Sequence, residues 1–541
     1  MAASAVTILV LGRDLTFWSD ELDWLTFADD FAPAHLLTPH NSHLIATTRV
    51  IYEGLPRIFG ADYLPFRILG IVSLQACAVL VFVLVRNRLG AAVSVLPAVV
   101  LLFFGSAQDM FISPLGIPFT LSIGLGLGAF VAVERRTLGG DLLAMSLVIL
   151  SMLSHTFGAI VAIGLVVYYG ADRGRRRELW VPLVPLALWI AWWVWARQFD
   201  QGITSASNLL GTPPFLVEAA GSALESMLGI PPDSDVGSRL KIVFELAAVA
   251  GAVLVAVRLA TGRATTWTWT YLATLLAFWA GIGLAEGDGR EPDTPRYLFF
   301  GVIMIVLLAA ELFRDRPLSI RVRRSLIAAA AVCLAGNLSL LLRTASDYER
   351  DAIDVRTQLG ALRASGGPFV SNLRVADLGP PASEQIIAMN AAIAEFEDTV
   401  GPLGFSAGEI AEQTDDARQG ADFVLIRGLG IASVEVPAKS RLESNACVVR
   451  RPGPDGYTDF ELRPGVNAID LVRDTGAAGA ELDLGRFADA AEVPVGELGG
   501  GRGTLLLLPD DGIDQPWLAR TTGAVRVCKI GATAPAADGG D

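Results

Sequence analysis

Long apolar stretches separated by short charged ones set the pattern of the first 342 residues. Eleven apolar runs stand out: Ala2–Gly12, Phe66–Val85, Gly90–Ala107, Leu115–Val133, Leu142–Ser154, Phe157–Tyr169, Val181–Trp195, Ile242–Val257, Trp267–Ala285, Tyr297–Phe313 and Ser325–Leu342. A helix needs about 20 apolar residues to cross the hydrocarbon core of a bilayer. The runs therefore predict a polytopic bundle of about 11 spans. Ala2–Gly12 has only about half the required length. Either it extends into Phe17–Trp18, or the start codon lies too late.

Beyond residue 342 the period changes. Asp351–Leu362 and Ser383–Glu397 read as helices, Phe369–Leu373 and Phe423–Ile426 as short strands. From about residue 431, alternating segments lie between Gly, Pro and Asp turns: Thr458–Arg463, Ala468–Val472, Thr504–Leu508 and Val525–Ile530. Such spacing predicts a β-sandwich. The last ten residues read as a disordered end. The expected architecture is thus an α-helical membrane domain over 1–342, a mixed α/β segment over 343–430 and a β-rich domain over 431–541.

Charge orients this plan. Residues 343–541 hold 31 acids and 18 bases, which is nearly all of the net charge of −14. An acidic tail argues against nucleic acid and against anionic lipid as partners. Arginine clusters mark Arg86–Arg88, Arg135–Arg136, Arg173–Arg177, Arg258–Arg263 and Arg314–Arg324, and the intervening loops carry acids. Positively charged loops stay in the cytoplasm, so the opening loop, the Glu286–Arg296 loop and the tail are expected outside. Cys77 and Cys333 fall in apolar runs. Cys447 and Cys528 flank strand-like segments of the outward tail, and an oxidising compartment predicts a disulfide between them.

The chemistry-bearing residues gather in the opening loop, Phe17–Tyr63. It holds Asp20, Glu21, Asp23, Asp29, Asp30, Glu53, Asp62 and three of the four histidines: His35, His40 and His43. His40 and His43 stand three apart and could share a helix face, either as a metal site or as hydrogen-bonding partners of a sugar or of loop acids. Asp109 reads as an outward acid or as a helix cap, and His155 as a substrate contact or a plain turn residue. Arg296 could hold a lipid phosphate or simply snorkel to headgroups. Trp189, Trp192, Trp193 and Trp195 form either a stacking patch or an interfacial belt. Phe215–Leu228 suggests an amphipathic helix lying on the membrane surface or covering a cavity.

Trp18-Ser19-Asp20-Glu21 directly after the first run, Asp109 in S-A-Q-D-M-F and a late outward loop ending in T-P-R-Y-L-F-F together resemble the GT-C superfamily of multi-span glycosyltransferases. The likeness covers residues 1–342. P-H-N-S-H-L followed by R-I-F-G-A-D-Y-L-P-F-R is also similar to a group of uncharacterised actinobacterial membrane proteins, and 39 Arg against 3 Lys fits high-GC coding. The resemblance implies an inverting transfer of sugar from a polyprenyl-phosphate donor to an extracytoplasmic glycan, lipid or protein. Within it, Asp20 or Glu21 would be the catalytic carboxylate, and Arg296 with Tyr297 would hold the donor phosphate, since arginine forks onto phosphate oxygens. Asp109, His40, His43 and His155 would contact substrate. No cofactor motif is present, and a divalent cation is left open. A lipid-linked-sugar flippase is the alternative, but ionisable groups here gather in outer loops rather than mid-span. A third reading is a scaffold whose tail binds cell-wall glycan.

Overall fold

The computed structural model describes residues 1–26, 31–199, 206–231, 234–285, 290–314, 316, 318–364, 373–436, 447–472, 480–499, 503–510 and 513–530. Its helices, in chain order, are α1 (Ala2–Leu11), α2 (Asp20–Thr26), α3 (Pro33–Leu37), α4 (Ala46–Phe59), α5 (Leu64–Leu89), α6 (Ala91–Leu101), α7 (Gln108–Phe111), α8 (Ile117–Glu134), α9 (Leu138–Ser154) and α10 (Phe157–Ala171). There follow α11 (Trp180–Ala196), α12 (Thr212–Ser226), α13 (Asp235–Ala260), α14 (Thr266–Leu284), α15 (Pro295–Leu312) and α16 (Ile320–Ala364). Each of the eleven apolar runs lies in helix over most of its length. Among the described residues, six helices are long and apolar enough to cross a membrane. The bent pair Ala91–Leu101 and Gly105–Phe111 would make a seventh. The chain is a multi-pass α-helical membrane protein with a mixed α/β and β-sandwich tail.

Two compact units form. One is Met1–Leu15 with Ala28–Tyr348, the other Thr16–Phe27 with Glu349–Asp541. The expected boundary at 342 thus falls six residues later, and residues 349–430 and 431–541 share one unit. The opening loop is divided between the two.

In the membrane unit, α1 stays short and does not extend into Phe17–Trp18. Ten residues rise about 15 Å, so the carbonyl end of the helix stops well short of a full crossing. Unsatisfied carbonyls in such a place cost several kcal/mol each. Arg67 of α5 donates to the Leu9 carbonyl (2.6 Å) and adds a second bond (3.0 Å) to that of Ile8, which also accepts the Gly12 N–H. Gly12 makes room, because a Cβ there would stand 2.9 Å from the Arg67 guanidinium. Elsewhere the helices approach through small residues: a Cβ on Gly164 of α10 would collide with Thr274 of α14. Around these contacts pack the buried rings of Phe104, Phe130, Tyr271, Phe278, Phe299 and Phe300. Helix α12 buries Phe215, Ala219 and Ala223 and packs on α13, α14 and α15, which suits a helix covering neighbours better than one lying free on a surface.

Among its described residues the second unit carries α17 (Asn390–Val400), α18 (Ala407–Ala411), α19 (Asp415–Gly428) and nine strands. These are β1 (Val434–Val436), β2 (Cys447–Arg450), β3 (Tyr457–Leu462), β4 (Gly465–Leu471), β5 (Ala480–Gly485), β6 (Val493–Leu498), β7 (Gly503–Leu508), β8 (Trp517–Thr522) and β9 (Val525–Ile530). They form two antiparallel sheets, β1-β7-β4-β9-β2 and β3-β8-β5-β6, around Phe460, Leu482, Leu484, Leu506 and Trp517. Cys447 and Cys528 sit directly opposite each other on β2 and β9 and form a disulfide.

Two expectations in this unit fail. Phe423–Ile426 is not a strand but the middle of α19, where Val424, Leu425 and Ile426 are buried. A run of four apolar residues has no period of its own, and Thr414 capping the helix start decides it. The second helix begins at Asn390, not at Ser383. Most of Phe369–Leu373 and the last ten residues lie outside the described residues. Helix α2 packs on α17, and the Ser19 N–H donates to the Gln385 carbonyl at 2.6 Å.

Candidate functional site

The five arginine-marked connections converge structurally. Arg88, Arg136, Asp172, Thr265 and Arg314, one from each connection or the helix end beside it, line one cavity. The opposite ends of the same helices carry the candidate site, in the turn between α9 and α10.

His155 breaks the helix there with an extended backbone (φ −168°), and the turn L-S-H-T-F-G presents its ring to three others. His43 lies at 4.2 Å between centroids, and Phe119 and Phe157 each lie at 4.5 Å. The imidazole is only 2 % exposed. Burial pushes its pKa well below the ordinary histidine value, and His43 and Arg296 push the same way. The ring is therefore neutral near pH 7. Its Nδ1 accepts the Phe157 N–H at 3.4 Å, which puts the proton on Nε2. That Nε2 is buried with no hydrogen-bond partner. A buried N–H without an acceptor is costly, and a ligand oxygen is what would relieve it.

His43 reaches this turn by local geometry. His40 and His43 exchange backbone hydrogen bonds (3.0 and 2.8 Å) across Asn41 and Ser42, whose φ values are +47° and +68°. Two successive left-handed residues make a tight hairpin turn, so the histidines do not share a helix face. Asn tolerates that conformation. The His43 Nδ1 hydrogen-bonds to Thr156 Oγ1 at 2.9 Å, while His40 Nε2 faces the Asn41 amide at 3.2 Å. Among the described residues no group of three His, Cys, Asp or Glu could hold a metal ion.

Arg296 stands in the first turn of α15, its guanidinium 5.1 Å from the ring centroid of Tyr297. Tyr297 is buried and meets Phe278 edge-on. Tyr348 donates to the Asp109 carboxylate at 2.5 Å, a tie to α16 rather than a helix cap, since Ala107 holds the N-cap of α7. Asp20 and Glu21 belong to the other unit. Asp20 is partly exposed at the start of α2, and Glu21 is fully buried.

Beside the histidine turn runs an apolar groove of about 410 Å³, lined by Leu37, Leu44, Met152, Leu153, Trp189, Trp192 and Trp195 among others. Leu44 follows His43 directly, and Leu153 lies two residues before His155. Trp192 donates to the Leu37 carbonyl at 2.8 Å, whereas the buried Trp189 Nε1 has no partner. Sequence reading singled out these tryptophans but not Thr156, Phe119 or Phe157. The turn motif around His155 was the one available signal for them.

No family model matches the chain, and no curated protein matches it. Among solved structures, the apo crystal structure of ArnT from Cupriavidus metallidurans aligns over 66% of this chain and 79% of its own, at 16% identity and a TM-score of 0.31. So loose a superposition decides nothing about activity, and the residues above carry the reading.

Proposed function

We propose that the chain is a membrane glycosyltransferase of the GT-C type, moving a sugar with inversion from a polyprenyl-phosphate donor to an extracytoplasmic glycan, lipid or protein acceptor. The observation that carries this is the pairing of a polar turn with an apolar groove. The buried His155 Nε2–H lacks a partner, and the turn that holds it continues through Leu44 and Leu153 into the wall of a tryptophan-lined groove. A ligand with a sugar at one end and an isoprenoid stem at the other matches that pairing.

In this reading the acceptor hydroxyl attacks the anomeric carbon on the face opposite the phosphate. The bond from that carbon to the phosphate oxygen breaks, and the electron pair leaves with the lipid phosphate. Arg296 with Tyr297 is assigned to that phosphate, since a fixed cation stabilises the departing charge. From the sequence resemblance alone, Asp20 is the candidate for the acceptor proton, being the more accessible of the two adjacent acids. His155 would hold a sugar or phosphate oxygen without exchanging protons, because its ring stays neutral. The protein would lie in the cytoplasmic membrane with its tail outside.

The test is purified protein in nanodiscs with radiolabelled polyprenyl-phosphate pentose or hexose. The expected result is loss of label from the lipid, to acceptor or to water, with the free lipid phosphate as co-product. Movement of intact donor between leaflets without bond cleavage supports the flippase instead. Absence of any donor binding overturns both readings.

A further inference from the structure

The cavity at the arginine-rich helix ends has a volume of about 360 Å³ and a wall of mixed charge. Its inner part is fixed. Arg88 is buried with its guanidinium held between Glu134 (2.9 Å) and Glu311, and it faces the rings of Trp267 and Tyr271, each 5.3 Å from the guanidinium carbon. Glu134 also receives the Asn87 amide at 2.7 Å. Its outer part is looser. Arg136 pairs with Asp172 at 2.6 Å, and its side chain remains 59 % exposed.

Arg136 also holds a φ of +53°, a left-handed conformation that costs a non-glycine residue and persists only where its surroundings impose it. The tight α8–α9 turn thus pins an arginine at the lip of the cavity. Tyr168 and Trp267 complete the wall, and such rings favour the depth where headgroups meet hydrocarbon.

A simple anion would meet Glu134 and Asp172 here, and a simple cation would meet three arginines. A molecule carrying both charges a few ångströms apart meets complementary partners on both. We propose that this cavity binds the zwitterionic headgroup of a phospholipid of the phosphoethanolamine type. Its phosphate lies against Arg136 and Arg314, and its primary ammonium lies against Glu134 and Asp172. Each of these two carboxylates has both oxygens engaged once, and a carboxylate accepts about four hydrogen bonds in all. The ammonium donates three. A quaternary choline donates none, and a glycerol headgroup lacks the positive charge.

Native mass spectrometry of the full chain in detergent, with added dioleoyl phosphatidylethanolamine, phosphatidylcholine or phosphatidylglycerol, tests this. Ethanolamine lipid should be retained about tenfold over the other two, the worth of one charge-assisted hydrogen bond. Asp172→Asn should erase the preference for ethanolamine over glycerol, and Arg136→Gln should weaken retention of all three. Both residues lie on the outer part of the wall, so these variants spare the buried Arg88–Glu311 pair. Equal retention of the three lipids by the unaltered protein, or unchanged retention in both variants, overturns the proposal. Displacement of the lipid by millimolar free phosphoethanolamine would make the ligand a soluble zwitterion and overturns the lipid assignment.

Discussion

Asn337 accepts the backbone N–H of Ser106 through its side-chain oxygen at 3.0 Å, and this contact knots three distant stretches of the membrane unit. The same amide donates to the carbonyls of Ser226, Met227 and Cys333 at 2.9–3.1 Å. Gly105 permits the approach, since a Cβ there would stand 2.1 Å from the Asn337 carbonyl. Asn337→Leu preserves bulk but strands buried donors and acceptors, at about 1–3 kcal/mol for each group left unpaired. Thermal unfolding in detergent should show a clear fall in midpoint, and an unshifted midpoint would mean the knot is dispensable.

His155→Phe keeps the ring packing and deletes the Nε2–H donor. Donor turnover, as kcat/KM, should fall about tenfold to a hundredfold, the range for one buried hydrogen bond to a charged or polar oxygen. Folding should be preserved. A variant that melts early instead points to a structural role for the histidine.

Asp20→Asn should lower transfer by roughly 10²–10⁴-fold if Asp20 is the general base, with donor binding retained. Arg296→Ala should raise the donor KM and lower kcat together. Full activity in Asp20→Asn, Glu21→Gln and the double variant would remove the opening acids from the mechanism.

The disulfide of Cys447 and Cys528 closes a span of 81 residues. In the chain-entropy model such a closure stabilises by about 4 kcal/mol. Reduction, or Cys447→Ser, should lower the denaturant midpoint of the tail while leaving the helical bundle unaffected. Free thiols in protein extracted from membranes, or labelling of a cysteine at position 450 from the cytoplasmic side, would contradict an outward tail.

Asp422 of α19 accepts the N–H groups of Phe487 (2.8 Å) and Ala488 (3.0 Å), pinning the loop between β5 and β6. Burial pushes its pKa up from 3.8 to about 6, although those N–H groups pull it down. The folded state therefore holds this proton more tightly than the unfolded chain. The stabilisation is full below about pH 4, declines as pH rises to about 6 and stays lost above. A shift of this size corresponds to about 3 kcal/mol. Amide exchange at Phe487 and Ala488, corrected for intrinsic rates, should be slower at pH 5 than at pH 7.5. Asp422→Asn should flatten that difference, and a persistent difference would assign it to another group.

How much of this was readable in the chain depends on whether a residue's neighbours are local. Runs such as Phe66–Val85 and Val525–Ile530 carry their own period, so helix and strand follow from them directly. Phe423–Ile426 carries none, and the capping Thr414 nine residues earlier settled it. The His155 turn was visible as a candidate, but its partnership with His43 needed the left-handed pair Asn41–Ser42, which no hydrophobic pattern reveals. Asp20 and Glu21 were grouped with the histidines by sequence proximity alone. Both acids belong to the second unit, where α2 packs on α17.

That partnership also sets an order in time. Ser19 bonds to Gln385, so α2 leaves the ribosome more than 360 residues ahead of the strand of chain it must meet. At about 5–20 residues per second, the segment waits on the order of 20–70 seconds while the whole bundle is inserted. Completion of the second unit is therefore the last event of biogenesis. A fragment starting at Glu349 would begin life without a piece of its own core.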